Sequence, residues 1–184
     1  EALPEEAARE AVRLARRLAL PLEGYTADGG FFVEGDSPLL EAHQRLLGVE
    51  AEGADLLRLS SPLVRLQVLA EGEAPVERLL EALPRGLQAH VAESPKMPGV
   101  RFVSLTKEGV SKLSAARLVA EAYGLPLSEC AMVGDGENDL ELLRAVGVGI
   151  AMGNAPPSVK RAAQRVVAPV EACGLAEALR LLRG

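Results

Sequence analysis

Between the apolar run Cys130 to Val133 and the helical pattern Leu140 to Ala145 lies the stretch Gly134-Asp135-Gly136-Glu137-Asn138-Asp139. A short apolar strand, an acidic glycine-containing turn and a helix in direct succession form one half of a parallel βαβ unit. Open α/β sheets gather their ligands at the carboxyl ends of such strands. Two carboxylates and an amide at that position suit a hard cation, because Mg²⁺ takes a few carboxylate oxygens, keeps several waters and shares its remaining sites with phosphate. A calcium loop of the EF-hand type would need Gly at position 140, where Leu140 stands. The competing reading is a polar turn in which Asn138 and Asp139 only cap the following helix.

The alternation around this turn extends through the second part of the chain. Helix Ser111 to Tyr123, strand Cys130 to Val133, helix Asn138 to Ala145 and strand Val148 to Met152 follow one another. A helix at Ser158 to Gln164, a strand at Arg165 to Val167 and a last helix from Leu175 to Leu182 complete the set. Residues 106–184 therefore read as a parallel, Rossmann-like α/β sheet, with only three of its strands in view.

Residues 1–105 have a different pattern. A helix over Pro4 to Leu20 carries Ala8, Ala11, Val12, Ala15 and Leu18 on one stripe, with Glu5, Glu6 and Glu10 near the start and Arg16 and Arg17 near the end, as the helix dipole favours. Leu22 to Thr26 and Phe31 to Val33 flank Ala27-Asp28-Gly29-Gly30, a hairpin signal. Helices at Pro38 to Leu47 and Pro75 to Leu83 and extended segments at Leu63 to Leu69, Leu87 to Ala92 and Arg101 to Leu105 complete an α+β unit with an antiparallel sheet.

Bulk properties narrow the partners. At 184 residues and 48% hydrophobic content the chain can bury a real core, and a net charge of −6 offers no general attraction to nucleic acid or anionic membrane. Phosphate binding must therefore be local, and the expected partner is a small molecule. No stretch is long and apolar enough to cross a membrane, and the start lacks a signal-peptide pattern. Cys130 and Cys173 are too few for a disulfide framework, with Cys130 expected as a buried thiol, so the expected compartment is the cytoplasm.

Lys112, at the start of the helix before the acidic turn, could hold a phosphoryl oxygen and balance the carboxylates; otherwise it is a solvated surface residue. Asn154 follows the strand Val148 to Met152, where its amide could steady the acidic loop or a phosphate. The glycines at 147, 149 and 153 do not form a dinucleotide fingerprint, since they follow a helix and enclose a strand. His43 and His90 stand apart, with no Ser or Cys arrangement that would make a triad, and read as structural. Tyr25, Phe31 and Phe32 read as core in a chain with only 3% aromatic residues.

Four segments together carry a resemblance: Gly-Val-Ser-Lys at 109–112, Val-Gly-Asp-Gly-Glu-Asn-Asp at 133–139, Ala-Met-Gly-Asn-Ala at 151–155 and Cys-Gly-Leu-Ala-Glu-Ala-Leu at 173–179. In this order and spacing they resemble the carboxyl-terminal half of a Cof-type phosphatase of the haloacid dehalogenase superfamily. Leu113 departs from the family pattern, which has Gly after the lysine. Residues 1–105 are similar, more loosely, to the substrate-specificity cap of such enzymes.

The resemblance implies a Mg²⁺-dependent phosphomonoesterase that acts on a sugar phosphate or similar small metabolite through an aspartyl-phosphate. It assigns metal binding to Asp135 and Asp139, phosphate binding to Lys112, and polar contacts with the substrate to Asn138 and Asn154. The family's Asp-x-Asp-Gly-Thr motif and its second-strand Ser or Thr motif are absent from these residues, and the chain opens on Glu1. The chain is therefore expected to be a fragment without its nucleophile, inactive as it stands. The alternatives are an interaction module that homodimerises through exposed sheet edges, and a sugar phosphomutase that transfers phosphate to a second hydroxyl.

Overall fold

The computed structural model describes residues 1–183. The chain forms two compact units, Glu1–Gly109 and Val110–Gly184. The division falls a few residues beyond the expected 105/106 boundary because the last strand of the first unit runs on to Lys107.

In the first unit, α1 (Glu5–Arg17), β1 (Leu22–Thr26), β2 (Phe31–Glu34), α2 (Pro38–Leu47) and the two-residue β3 (Glu52–Gly53) are followed by β4 (Leu63–Glu71), α3 (Ala74–Glu81), β5 (Leu87–Ser94) and β6 (Met97–Lys107). The sheet order is β3-β2-β1-β4-β6-β5, antiparallel throughout except for the β2–β3 pair. Helix α1 buries Ala8, Ala11, Val12 and Ala15 of the expected stripe, while Leu18 lies just past its end and is half-buried against the same core. It stops three residues short of the expected end at Leu20, because Ala19 adopts a left-handed φ of 52° and the Leu20 N–H turns back to the Ala15 carbonyl. Ser37 caps α2 by accepting from the Leu39 N–H, and Gly48, at φ 68°, closes it.

The two faces of this sheet are treated differently. One packs Leu66, Val68, Val103 and Leu105 against α1 and against Val76 and Leu79 of α3. On the other, Leu40 of α2 meets Leu69, Met97, Val100 and Phe102.

The second unit contains α4 (Lys112–Ala122), β7 (Ala131–Gly134), α5 (Leu140–Ala145), β8 (Val148–Ala151), α6 (Pro157–Ala162), β9 (Arg165–Val166) and α7 (Gly174–Arg183). Its three strands are parallel in the order β7-β8-β9. Successive residues of a strand face opposite ways. Accordingly Met132 joins Leu143, Ala151 and Val159 on the side of α5 and α6, while Val133 joins Ile150, Val167 and Ala178 on the side of α7.

Two local expectations are corrected. Asn138 does not cap a helix: Glu137–Asp139 is a 3₁₀ turn and α5 begins only at Leu140. Cys130 precedes β7 and is half-buried, because β7 is an edge strand of its sheet.

Candidate active site

The acidic turn is organised by its last residue. Asp139 is 2% exposed, and its Oδ2 accepts the backbone N–H groups of Asp135 at 3.1 Å and Gly136 at 3.0 Å. Its Oδ1 accepts from the Lys112 ammonium at 2.5 Å. The carboxylate therefore ties the end of β7, the loop and the start of α4 together. Glycine at 134 makes room for it, since a Cβ there would lie 2.7–2.8 Å from the Asp139 side chain.

Lys112 owes its place to a capping box. The Ser114 N–H donates to Ser111 Oγ at 3.1 Å, and the Ser111 N–H donates to Ser114 Oγ at 2.8 Å, so α4 starts with Lys112 as its first helical residue. Its ammonium also donates to Asn138 Oδ1 at 3.4 Å. The sequence reading found Lys112 but missed this box; the pair Ser111 and Ser114, three apart ahead of a helical pattern, was the available signal.

Asp135 is exposed at the carboxyl end of β7. Its Oδ2 accepts from Asn154 Nδ2 at 3.2 Å, and Asn154 Oδ1 accepts the Val170 N–H at 3.1 Å. Both ends of the Asn154 amide are thus engaged by the protein, which makes it a brace for Asp135. Ser158 donates to Glu137 Oε1 at 3.1 Å, a contact that sequence reading did not anticipate.

Burial pushes the Asp139 carboxyl up, but the Lys112 hydrogen bond, the Gly136 amide, the Lys112 charge and the Asp135 amide together outweigh it. The carboxyl is held below the usual carboxylate range. Asp139 is therefore an anion fixed in place by three donors.

Asp139, expected beside Asp135 as a metal-binding residue, has both oxygens engaged by protein donors, so its carboxylate holds the loop that presents Asp135. Among the described residues no group of three or more His, Cys, Asp or Glu side chains could hold a metal ion. The donor set still fits Mg²⁺ in one respect. Asp135 offers a solvent-facing carboxylate with one oxygen outside the Asn154 bond, and Mg²⁺ is commonly anchored by one or two carboxylates with water and substrate phosphate supplying the rest. Lys112, Asp135, Asn138, Asp139 and Asn154 thus gather at one end of β7 and β8, joined by hydrogen bonds into two linked sets.

The chain shares this framework with known proteins. It is 31% identical over 137 residues to the HMP-PP phosphatase of Cronobacter sakazakii, a match over 72% of this chain and 48% of that protein. It is 34% identical over 82 residues to a phosphoglycolate phosphatase of Methanothermobacter thermautotrophicus, over 45% of this chain and 37% of that one. The chain therefore spans less than half the length of either relative. Among solved structures, a phosphatase of the haloalkanoate (HAD) enzyme superfamily from Bacteroides thetaiotaomicron superposes with a TM-score of 0.77 at 27% identity, covering 97% of this chain and 65% of that one. A protein of Eubacterium rectale gives a TM-score of 0.81 at 25% identity, over 98% and 69% of the two chains. The family model of the haloacid dehalogenase-like hydrolases matches residues 2–179, and the chain belongs to that family, in its Cof-type branch.

Proposed function

We propose that residues 110–184 form the phosphate- and Mg²⁺-binding part of a phosphomonoesterase for small phosphorylated metabolites, and that residues 1–105 form its substrate-selecting cap. One observation carries this reading: the Lys112 ammonium is held by the buried, ionised Asp139 beside the loop that presents Asp135 to solvent. An ammonium has three N–H donors. Two point to Asp139 and Asn138, and the third is left for a phosphoryl oxygen. The loop backbone is held rigid by Asp139, and the Asp135 carboxylate is oriented by Asn154, so neither group must reorganise when a phosphate arrives.

Asp135 would hold Mg²⁺ through the oxygen that Asn154 leaves open. When bound, the ion supplies charge neutralisation to the transferring phosphoryl group. The attacking carboxylate of the family's scheme is not assigned to any of the 184 residues, so the proposal concerns how the phosphoryl group is bound and positioned.

The test is an NMR titration of the chain with inorganic phosphate in the presence and absence of Mg²⁺. Phosphate should shift the backbone amides of Lys112 and Gly136, Lys112→Ala should weaken binding about tenfold, and Asp135→Asn should remove its Mg²⁺ dependence. Wild-type affinity and metal dependence in both variants would refute the assignment.

A further inference from the structure

The connection from β3 to β4 covers residues 54–62 and is fastened at both ends. Near its start the Leu56 N–H donates to Glu34 Oε2 at 2.9 Å. At its close the Ala27 N–H donates to the Pro62 carbonyl at 3.0 Å and the Leu3 N–H to the Leu63 carbonyl at 2.7 Å. Between these points the connection faces α1, from which Arg9 Nη1 donates to the Leu57 carbonyl at 3.4 Å.

Under this arch lies a cavity of about 240 Å³, lined entirely by the first unit. Its walls are core side chains: Leu3, Ala8, Val12, Leu56 and Leu63 are at most 8% exposed and belong to the cluster beneath α1. The void has a cause in the sequence. Helix α1 offers only the short side chains of Ala8 and Val12 here, while Leu56 and Leu63 lean onto Gly24 of β1, where a Cβ would lie 2.8 and 3.0 Å from their Cδ2 atoms. Their bulk fills the place of the missing side chain and not the gap. Walls of this kind forfeit their packing contacts, and an apolar void offers water too few partners to replace them.

The rim has a different character. Arg9 lines it, with its Nε donating to Glu5 Oε1 at 3.2 Å. The Glu5 side chain is 84% exposed, so this is a solvent-screened pair that exchanges easily. A guanidinium carries five N–H groups. Among the described residues, the three that Arg9 does not give to Glu5 and Leu57 have no acceptor. Apolar walls with a forked cation at the mouth are complementary to a run of methylenes that ends in a carboxylate, which the fork meets with two parallel hydrogen bonds. An apolar cavity of about 150 Å³ holds benzene, so the larger volume here suits a chain of about eight carbons.

We propose that this cavity is a binding site for a medium-chain alkyl carboxylate, its chain between α1 and the 54–62 connection and its carboxylate on Arg9. The site uses residues of the first unit only and does not depend on the phosphate reading of the second.

The experiment is an NMR titration of the whole chain with octanoate below its micelle concentration, and with butyrate and 1-octanol for comparison. Octanoate should shift the methyl signals of Leu3, Val12, Leu56 and Leu63 together with the Arg9 side-chain signal. Butyrate should bind more than tenfold more weakly, because each buried methylene contributes a factor of about four. Arg9→Met keeps an aliphatic stem at the rim and should weaken octanoate about tenfold while leaving 1-octanol unchanged. Glu5→Gln removes the competing carboxylate and should tighten octanoate about twofold. Ala8→Leu fills the void and should abolish binding of both, with signals remote from the cavity unchanged if the fold is kept; the Arg9 and Glu5 variants carry the test if it is not. Octanoate that leaves the four leucine and valine methyls unmoved, or that binds Arg9→Met as tightly as the wild type, overturns the inference. So does an Arg9→Met variant that weakens 1-octanol as much as octanoate, since the arginine would then be wall and not anion site.

Discussion

Each unit buries one carboxylate almost completely, and the two are satisfied in opposite ways. Glu23 of the first unit is held by side chains: Tyr25 on its own strand, Gln67 on β4 and His43 on α2. Asp139 of the second is held by two backbone amides of its own turn and by one ammonium. Backbone donors stay where the loop puts them. Side-chain donors become stranded when their acceptor is removed, because each was itself taken out of water to reach it. The first arrangement locks a packed sheet face, and the second locks a loop that leaves a neighbouring carboxylate open. The contrast predicts that the two sites respond differently to the same kind of substitution.

The largest effect is expected at Glu23. Glu23→Ala leaves the Tyr25 hydroxyl, the Gln67 amide and the His43 imidazole without their common acceptor and opens a cavity in a face sealed by α2. The expected loss is about 3 to 4 kcal/mol of stability, read from urea unfolding. Glu23→Gln keeps the shape and one acceptor and should lose roughly half as much. A loss below about 1 kcal/mol for the alanine variant would mean that the network contributes no cooperativity, and the contrast between the units would fail.

The same contrast explains what could be read from the sequence. Asp139 was legible because its amide partners lie three and four residues away, and because strand, glycine turn and helix follow one another without interruption. Glu23 was not, because two of its three partners lie 20 and 44 residues off, and period-2 alternation in Leu22 to Thr26 says only that the charged side chain faces away from Leu22. What covers that second face is decided by α2, a tertiary fact. Tyr25 and Phe31 were read as core, whereas they are half-buried and stack beside Arg65, while Phe32 alone of the three packs into the α1 side. The helix order and the parallel sheet of the second unit emerged from periodicity. The two-residue β3 and the left-handed Ala19 leave no pattern of residue types to read. Asp139 was legible from residue type as a member of the acidic turn, but the three donors that its two oxygens accept from could not be read there.

A smaller effect is expected at Asp139 itself. Asp139→Asn retains one acceptor for the two loop amides but loses the charge that pairs with Lys112, and should lower stability by about 2 kcal/mol. The folded-state pKa of this carboxyl is depressed relative to its unfolded value. Its contribution is therefore fully present above the unfolded pKa of about 4 and is lost as pH falls through the lower folded value. Acid unfolding followed by circular dichroism should show the wild type losing its advantage over Asp139→Asn below about pH 4, with the two converging at lower pH. A gap between them that stays constant from pH 7 to pH 2 would show that the carboxylate's charge is irrelevant to the turn.

Ser111→Ala should act more weakly still. It removes the acceptor for the Ser114 N–H, the N-terminal half of the capping box, and should lower stability by about 1 kcal/mol. Ser111→Asp, which caps as well as serine does, should restore most of the loss. Failure of that rescue would show that Ser111 matters through a contact other than the cap.

The smallest effect on stability should come from Lys112, and this sharpens the comparison most. Its side chain is 49% exposed while that of Asp139 is 3% exposed, so the pair is screened on one side, and the two loop amides keep holding Asp139 when the ammonium is gone. Lys112→Met keeps the aliphatic stem over the site, and water can reach the vacated oxygen from the solvent side. The expected loss is about 0.5 to 1 kcal/mol, near the range of exposed ion pairs. Phosphate binding should nevertheless fall about tenfold in the same variant, because the missing group is a charge-assisted donor that water does not replace. A side chain whose removal scarcely moves the unfolding midpoint yet weakens the ligand belongs to binding; one whose removal costs as much as Glu23→Ala is a buried strut, and the loop would then be held by its lysine and not by its backbone.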